Sequence, residues 1–192
     1  MLRSSVTALA GAGLALAMTA GLAQAAEYEI DPAHSFVEFK IPHLGFSIMD
    51  GRFNDVSGTF TYAPEQGAGA QAITVVIPTA SVDTNHAERD KHLRGEDFLN
   101  VDEYPEARFV STGFTGDESG GVMTGDLTLH GVTKPIEIEV EKVGEGDDPW
   151  GGYRAGFIGT TTLDRNDFGI SYDLGPAAET VDMTLMIEGV RQ

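Results

Sequence analysis

Five histidines, thirty carboxylates and one short basic cluster are the residues of this chain whose types could do chemistry. A zinc site needs ligands at a readable spacing, such as two histidines four apart on one helix face. His86 and His92 are six apart and fall on different helical faces, and His34 and His43 are nine apart, near opposite ends of one strand-like run. With His130 they read as histidines bonding backbone at strand ends and turns, and no metal site is expected. Ser35 beside His34 is only a neighbour pair, because strand neighbours point to opposite faces, and no G-x-S-x-G elbow is present. The ordinary place of so many acids is a solvated outer face. Arg89, Lys91 and Arg94 could meet an anionic head group; the reading preferred is ion pairing with Glu88, Asp90, Glu96 or Asp97. No nucleotide-binding glycine loop occurs. No catalytic residue and no cofactor are expected.

The 192 residues suggest a single domain, and the absence of cysteine excludes disulfides, thiolate metal sites and cysteine nucleophiles. Twelve Lys+Arg against thirty Asp+Glu argue against nucleic acid as a partner, because phosphate contacts need a basic patch. Met1–Ala25 carries Arg3 as its only charge, then an Ala/Gly/Leu-rich run, then Ala23-Gln24-Ala25. That is the pattern of a secretory signal peptide, with cleavage near Ala25 and a periplasmic or extracellular product. Residues 26–192 hold no apolar run of spanning length, so stable membrane insertion is not expected.

The elements that must carry any site read as strands. Val37, Phe39 and Ile41 alternate with Glu38 and Lys40; Ile73, Val75 and Ile77 share a face, as do Leu127 and Leu129. Ile136, Ile138 and Val140 alternate with Glu137, Glu139 and Glu141, and Val181, Met183, Leu185 and Ile187 alternate with Asp182, Thr184, Met186 and Glu188. One apolar and one wet face imply an antiparallel sheet. Further runs fit strands over residues 52–62, 107–115 and 152–163, divided by turn signals at Pro64–Gly69, Gly116–Gly121 and Gly144–Gly152. Many short strands with interior glycines predict a closed barrel or a sandwich. The charged stretch 85–100 breaks the alternation and predicts a short helix capped by Asp83 or Thr84, interrupted or ended by Gly95 and anchored by Leu93, Phe98 and Leu99.

Four stretches then resemble the YceI-like, polyisoprenoid-binding periplasmic proteins: YEIDPAHSFVEFKIPHLGFSIMDGRF, SVDTNHAERDKHLRGEDFLNVDEYPEARF, GDLTLHGVTKP and TTTLDRNDFGI. The resemblance implies an all-β, lipocalin-like antiparallel barrel of about eight strands with a helical excursion near 85–99. It implies a hydrophobic lumen for an isoprenoid or similar long-chain amphiphile, export, and often a homodimer. On that reading the lumen candidates are Val37, Phe39, Ile41, Phe46, Phe53, Ile73, Val75, Ile77, Phe109, Leu127, Leu129, Ile136, Ile138, Phe157, Met183 and Leu185, with Phe46 and Ile48 as a lid. Two competing readings are a lipid-modifying enzyme with His34, His43 or His130 as base, and a packed barrel that binds a partner.

Overall fold

Eleven strands and one short helix make up the computed structural model, which describes residues 25–63 and 72–192. The signal-like segment up to Gln24 and the turn expected at Pro64–Gly69 lie outside the described residues. The strands are β1 (Ala26–Ile30), β2 (Phe36–His43), β3 (Ser47–Phe53), β4 (Ser57–Tyr62), β5 (Ala72–Pro78), β6 (Val82–Asp83), β7 (Glu106–Asp117), β8 (Gly120–Leu129), β9 (Val132–Asp147), β10 (Tyr153–Asp164) and β11 (Thr180–Arg191). The helix α1 spans Ala87–Leu93.

Eight strands close a ring in the order β1-β4-β5-β7-β8-β9-β10-β11, with β11 returning to β1, and every pairing is antiparallel. The alternating residues read from the sequence turn one face inward. Ile138 on β9 is buried while Glu137 and Glu139 beside it are exposed. β11 carries two partners in succession: Ile30 faces Gly189, then Phe36 faces Met186. β2 continues into the β2–β3–β6 ladder, which extends one end of the barrel.

The break between β1 and β2 is bridged by a side chain. The buried Ser35 hydroxyl donates to the Glu188 carbonyl at 3.1 Å and accepts from the Glu188 amide at 3.0 Å, standing in for a missing backbone partner. Outside this seam Arg154 joins three carboxylates: Nη1 donates to Asp31 at 2.6 Å and Glu188 at 2.5 Å, and Nε to Asp148 at 3.0 Å. The Asp31 carboxyl is held at about 2, chiefly by Arg154 and then by His34. Its folded value lies below the unfolded one, so its contribution to stability is complete above about pH 4 and is lost as pH falls through about 2. Arg154→Met is therefore expected to lower the urea midpoint at pH 7. The gap to the wild type should narrow between pH 4 and pH 2, and a gap that stays constant over that range would count against the coupling.

Two local expectations are corrected. The run 52–62 is two strands, because after Phe53 the chain turns: the Asn54 amide donates to the Ser81 carbonyl and its Nδ2 to Asp83. The helix is capped by His86, whose Nδ1 accepts from the Arg89 amide at 3.3 Å, rather than by Asp83 or Thr84. Asp83 instead accepts from the Asn85 amide, and Thr84 donates through both its amide and its hydroxyl to the buried Asp90.

Candidate functional site

The inward face of the barrel encloses two adjoining apolar cavities. At the β1–β4 end aromatic rings close the ring of strands: Tyr28 stacks on Phe60 at 4.8 Å, and Phe157 meets Phe60 edge-on at 5.7 Å and Tyr62 at 5.1 Å. Below these rings lies an upper chamber of about 140 Å³, lined by Val37, Ile73, Val75, Ile77, Phe109, Leu127, Ile136, Ile138, Phe157, Met183 and Leu185 among others. Gly125 on β8 lets the Phe109 ring lie flat against the wall, where a Cβ would overlap the ring and the Val110 carbonyl.

The larger lower chamber, about 430 Å³, is walled by Phe39, Ile41, Phe53 and Leu129 from the strands and by Leu93, Phe98 and Leu99 from the helical excursion. The segment from Arg165 to Leu174 supplies Arg165, Phe168, Ile170 and Leu174. Ile77, Leu127, Leu163 and Met183 line both chambers, so the two share a wall at mid-barrel. Cavities of this class, mostly apolar with a few placed polar groups, are the usual form of a small-molecule site.

Fifteen of the sixteen residues read as lumen candidates line one chamber or both. Phe46 lines neither and is 86% exposed. Leu44 and Gly45 both adopt positive φ (51° and 77°), and the Phe46 amide donates to the His43 carbonyl, so the β2–β3 connection is a tight turn with Phe46 at its tip. Leu44 and Ile48 are also exposed on this hairpin, whose flanking His43 and Met49 border the lower chamber.

The lower chamber also holds residues that strand alternation does not mark: Arg89 and His92 on α1, Phe98, Arg165, Phe168 and Ile170. The basic cluster does not pair as expected. Arg89 donates Nε to the Thr84 hydroxyl and Nη2 to the Thr84 carbonyl, both at 2.7 Å. Arg94 donates Nε to the Ala80 carbonyl at 2.7 Å and Nη2 to the Val82 carbonyl at 2.5 Å. Backbone carbonyls outcompete the neighbouring acids because the helix places both guanidiniums over the β6 edge, whereas Glu88, Glu96 and Asp97 face solvent.

The histidines do not converge. His34 contacts Asp31 at 2.9 Å outside the barrel, His43 lies at the chamber rim, and the His130 ring meets Tyr104 edge-on at 4.5 Å with Nδ1 3.2 Å from the Phe168 carbonyl. His92 contacts Asp97 at 2.9 Å, and its ring packs against Phe98 and Tyr172. Asp31, His34 and Glu188 bring three potential metal-ligand atoms within 4.8 Å of one another. The Arg154 guanidinium already bonds both carboxylates of that group, so the cluster is an ion-pair hub in which a cation would have to compete with the guanidinium.

No helix among the described residues is long and apolar enough to cross a membrane. Residues 28–189 match the YceI-like domain. A UPF0312 protein of Pseudomonas aeruginosa is 54% identical over the whole of both chains, and one of Yersinia enterocolitica is 52% identical over 92% of this chain and 93% of its own. Among solved structures, the Campylobacter jejuni YCEI protein superposes with a TM-score of 0.71 at 30% identity, covering 80% of this chain and 91% of that one. A polyisoprenoid-binding domain of Saccharophagus degradans, implicated in plant cell wall breakdown, gives a TM-score of 0.65 at 18% identity, over 88% of this chain and 100% of its own. At that identity the likeness is one of fold.

Proposed function

This chain belongs to the YceI-like family, and on that premise we propose that it is an exported binding protein that carries or stores a polyisoprenoid or similar long-chain amphiphile inside its barrel. The observation that carries the reading is the pair of adjoining apolar chambers, lined from nearly every strand of the barrel. An isoprenoid tail is driven into such a space by roughly 0.8 kcal/mol for each methylene it buries. Ordering a flexible chain opposes part of that gain, so binding is tight toward chains that fill the lumen and tolerant of tail detail. The Saccharophagus domain of the same fold is described as polyisoprenoid-binding, which favours this ligand class. Export rests on the Met1–Ala25 pattern, and the periplasm is the compartment proposed.

The chambers favour a binding protein over a packed barrel, and the dispersed histidines favour one over an enzyme that would use them as bases. The test is to purify the mature protein natively from a bacterial cell envelope, extract it with organic solvent and identify bound lipid by mass spectrometry. A stoichiometric prenyl chain, quinone or fatty amphiphile is expected. An empty extract, together with no uptake of added prenyl lipid, would overturn the proposal.

A further inference from the structure

The lower chamber is apolar over most of its wall, and its charged lining is all of one sign. Among the described residues that line it there is no Asp or Glu, although the chain carries thirty; the ionisable ones are Arg89, Arg165, His43 and His92. Neither arginine forms an ion pair among the described residues, in contrast to Arg154, which meets three carboxylates outside the barrel. Arg89 spends Nε and Nη2 on Thr84 and leaves Nη1 with only the Met49 sulfur at 3.6 Å. Arg165 is 7% exposed; its Nε donates to the Ala178 carbonyl at 2.7 Å and its Nη1 to the Ile170 carbonyl at 2.6 Å, while Nη2 makes no hydrogen bond to a described residue.

Carbonyls, a thioether and the Thr84 hydroxyl, itself bonded to Asp90, orient these guanidiniums with no carboxylate in direct contact. A guanidinium cannot shed its proton to escape the cost of burial, so a buried one is stabilised by an anion. Its donors suit the oxygens of a phosphate or carboxylate, and such charge-assisted bonds are about twice as strong as neutral ones.

We propose that the lower chamber is a head-group site, in which Arg89 and Arg165 select an amphiphile with an acidic oxyanion head. The tail then runs past Leu127 and Met183 into the upper chamber. This rests on the binding-protein reading above and adds the chemical class of the ligand's polar end. The chain as a whole carries a net charge of -18, so a chamber lining with cations and no carboxylate runs against its overall composition.

The test keeps one tail and changes the head. Geranylgeranyl diphosphate, geranylgeranoic acid and geranylgeraniol are titrated into delipidated wild-type protein by calorimetry. At least one acid is expected to bind about tenfold or more tighter than the alcohol, and the better of the two names the head as phosphate-type or carboxylate. Arg89→Gln should remove most of that preference, and Arg89→Lys should retain part of it. Equal affinity for all three in the wild type would overturn the head-group assignment and leave the carrier reading standing. Failure of all three to bind would overturn the carrier reading and this assignment with it. The wild-type comparison decides the matter even if the Arg89 variants do not fold.

Discussion

A Leu127→Trp protein is expected to keep its fold and lose about a hundredfold in affinity for a long prenyl chain, while a chain short enough for the lower chamber binds nearly as before. Leu127 lies on β8 at the wall shared by the two chambers, with Ile77, Leu163 and Met183. The indole enters open volume there, so the overpacking penalty of a filled core does not arise in full. It does bar the tail from the upper chamber. Each methylene held back forgoes roughly 0.8 kcal/mol, so four of them amount to about 3 kcal/mol, or somewhat more than a hundredfold. Displacement of a fluorescent lipid by isoprenoid alcohols of increasing length reads this directly. The wild-type affinity should climb with length and the variant's should level off. If both climb in parallel, the tail does not pass Leu127 and the two chambers do not hold one ligand.

Gly58→Ala is expected to cost about 3–5 kcal/mol and lower the melting temperature by roughly 10 °C. Gly58 stands near the start of β4 with φ of 148°, and its α-carbon faces the Thr74 carbonyl on β5 across the ladder. A methyl group there would lie far inside van der Waals contact of that backbone oxygen, which cannot retreat without opening the β4–β5 pairing. The backbone conformation is itself one that glycine alone adopts at low cost. The strain and the clash fall on the same position, so a single methyl has an effect more typical of a core truncation. Urea and thermal unfolding of the variant measure it. A loss below about 1 kcal/mol would mean that β4 can shift relative to β5 without cost.

How much of this was legible depended on whether a residue's role is set by its neighbours in the chain or by its partners across the sheet. Ile136, Ile138 and Val140 were readable because alternation with three glutamates is a local pattern that only a half-buried strand explains. Leu127, Met183 and Leu185 followed from the same logic. The division of residues 52–62 was not readable, since Phe53 and Phe60 both suit a strand and the break arises from Asn54 bonding residues near position 82. Tyr28, Phe60 and Tyr62 are buried at the closed end and were absent from the lumen candidates. Their signal was present, as alternation in YEI and TFTY. The polar part of the site was hidden for a different reason. Arg89 sits among acids in sequence, which suggests ion pairs, yet the helix turns it toward Thr84 and the chamber. Arg165 is followed by Asn166 and Asp167, and its burial comes from the turn that folds it under Ala178 and Ile170. Phe46 is the opposite case: an aromatic in a turn, where hydrophobicity alone suggested the interior and the backbone carries it past the barrel wall.

The return of β11 to β1 also sets a schedule for folding. Tyr28 pairs with Arg191 and Phe36 with Met186, so the first two strands find these partners only in the last one. Contacts of such separation are slow to form, because the entropy of closing the loop is lost before any pairing compensates it. Before that event β2–β3, β4–β5 and the run from β7 to β10 can assemble from strands adjacent in the chain, leaving an open curved sheet with its apolar face uncovered. Such a species is the one most exposed to aggregation during refolding. A hydrophobic chain lying along that face would cover it before β11 arrives, so added lipid should raise the yield of refolded protein as well as its final stability.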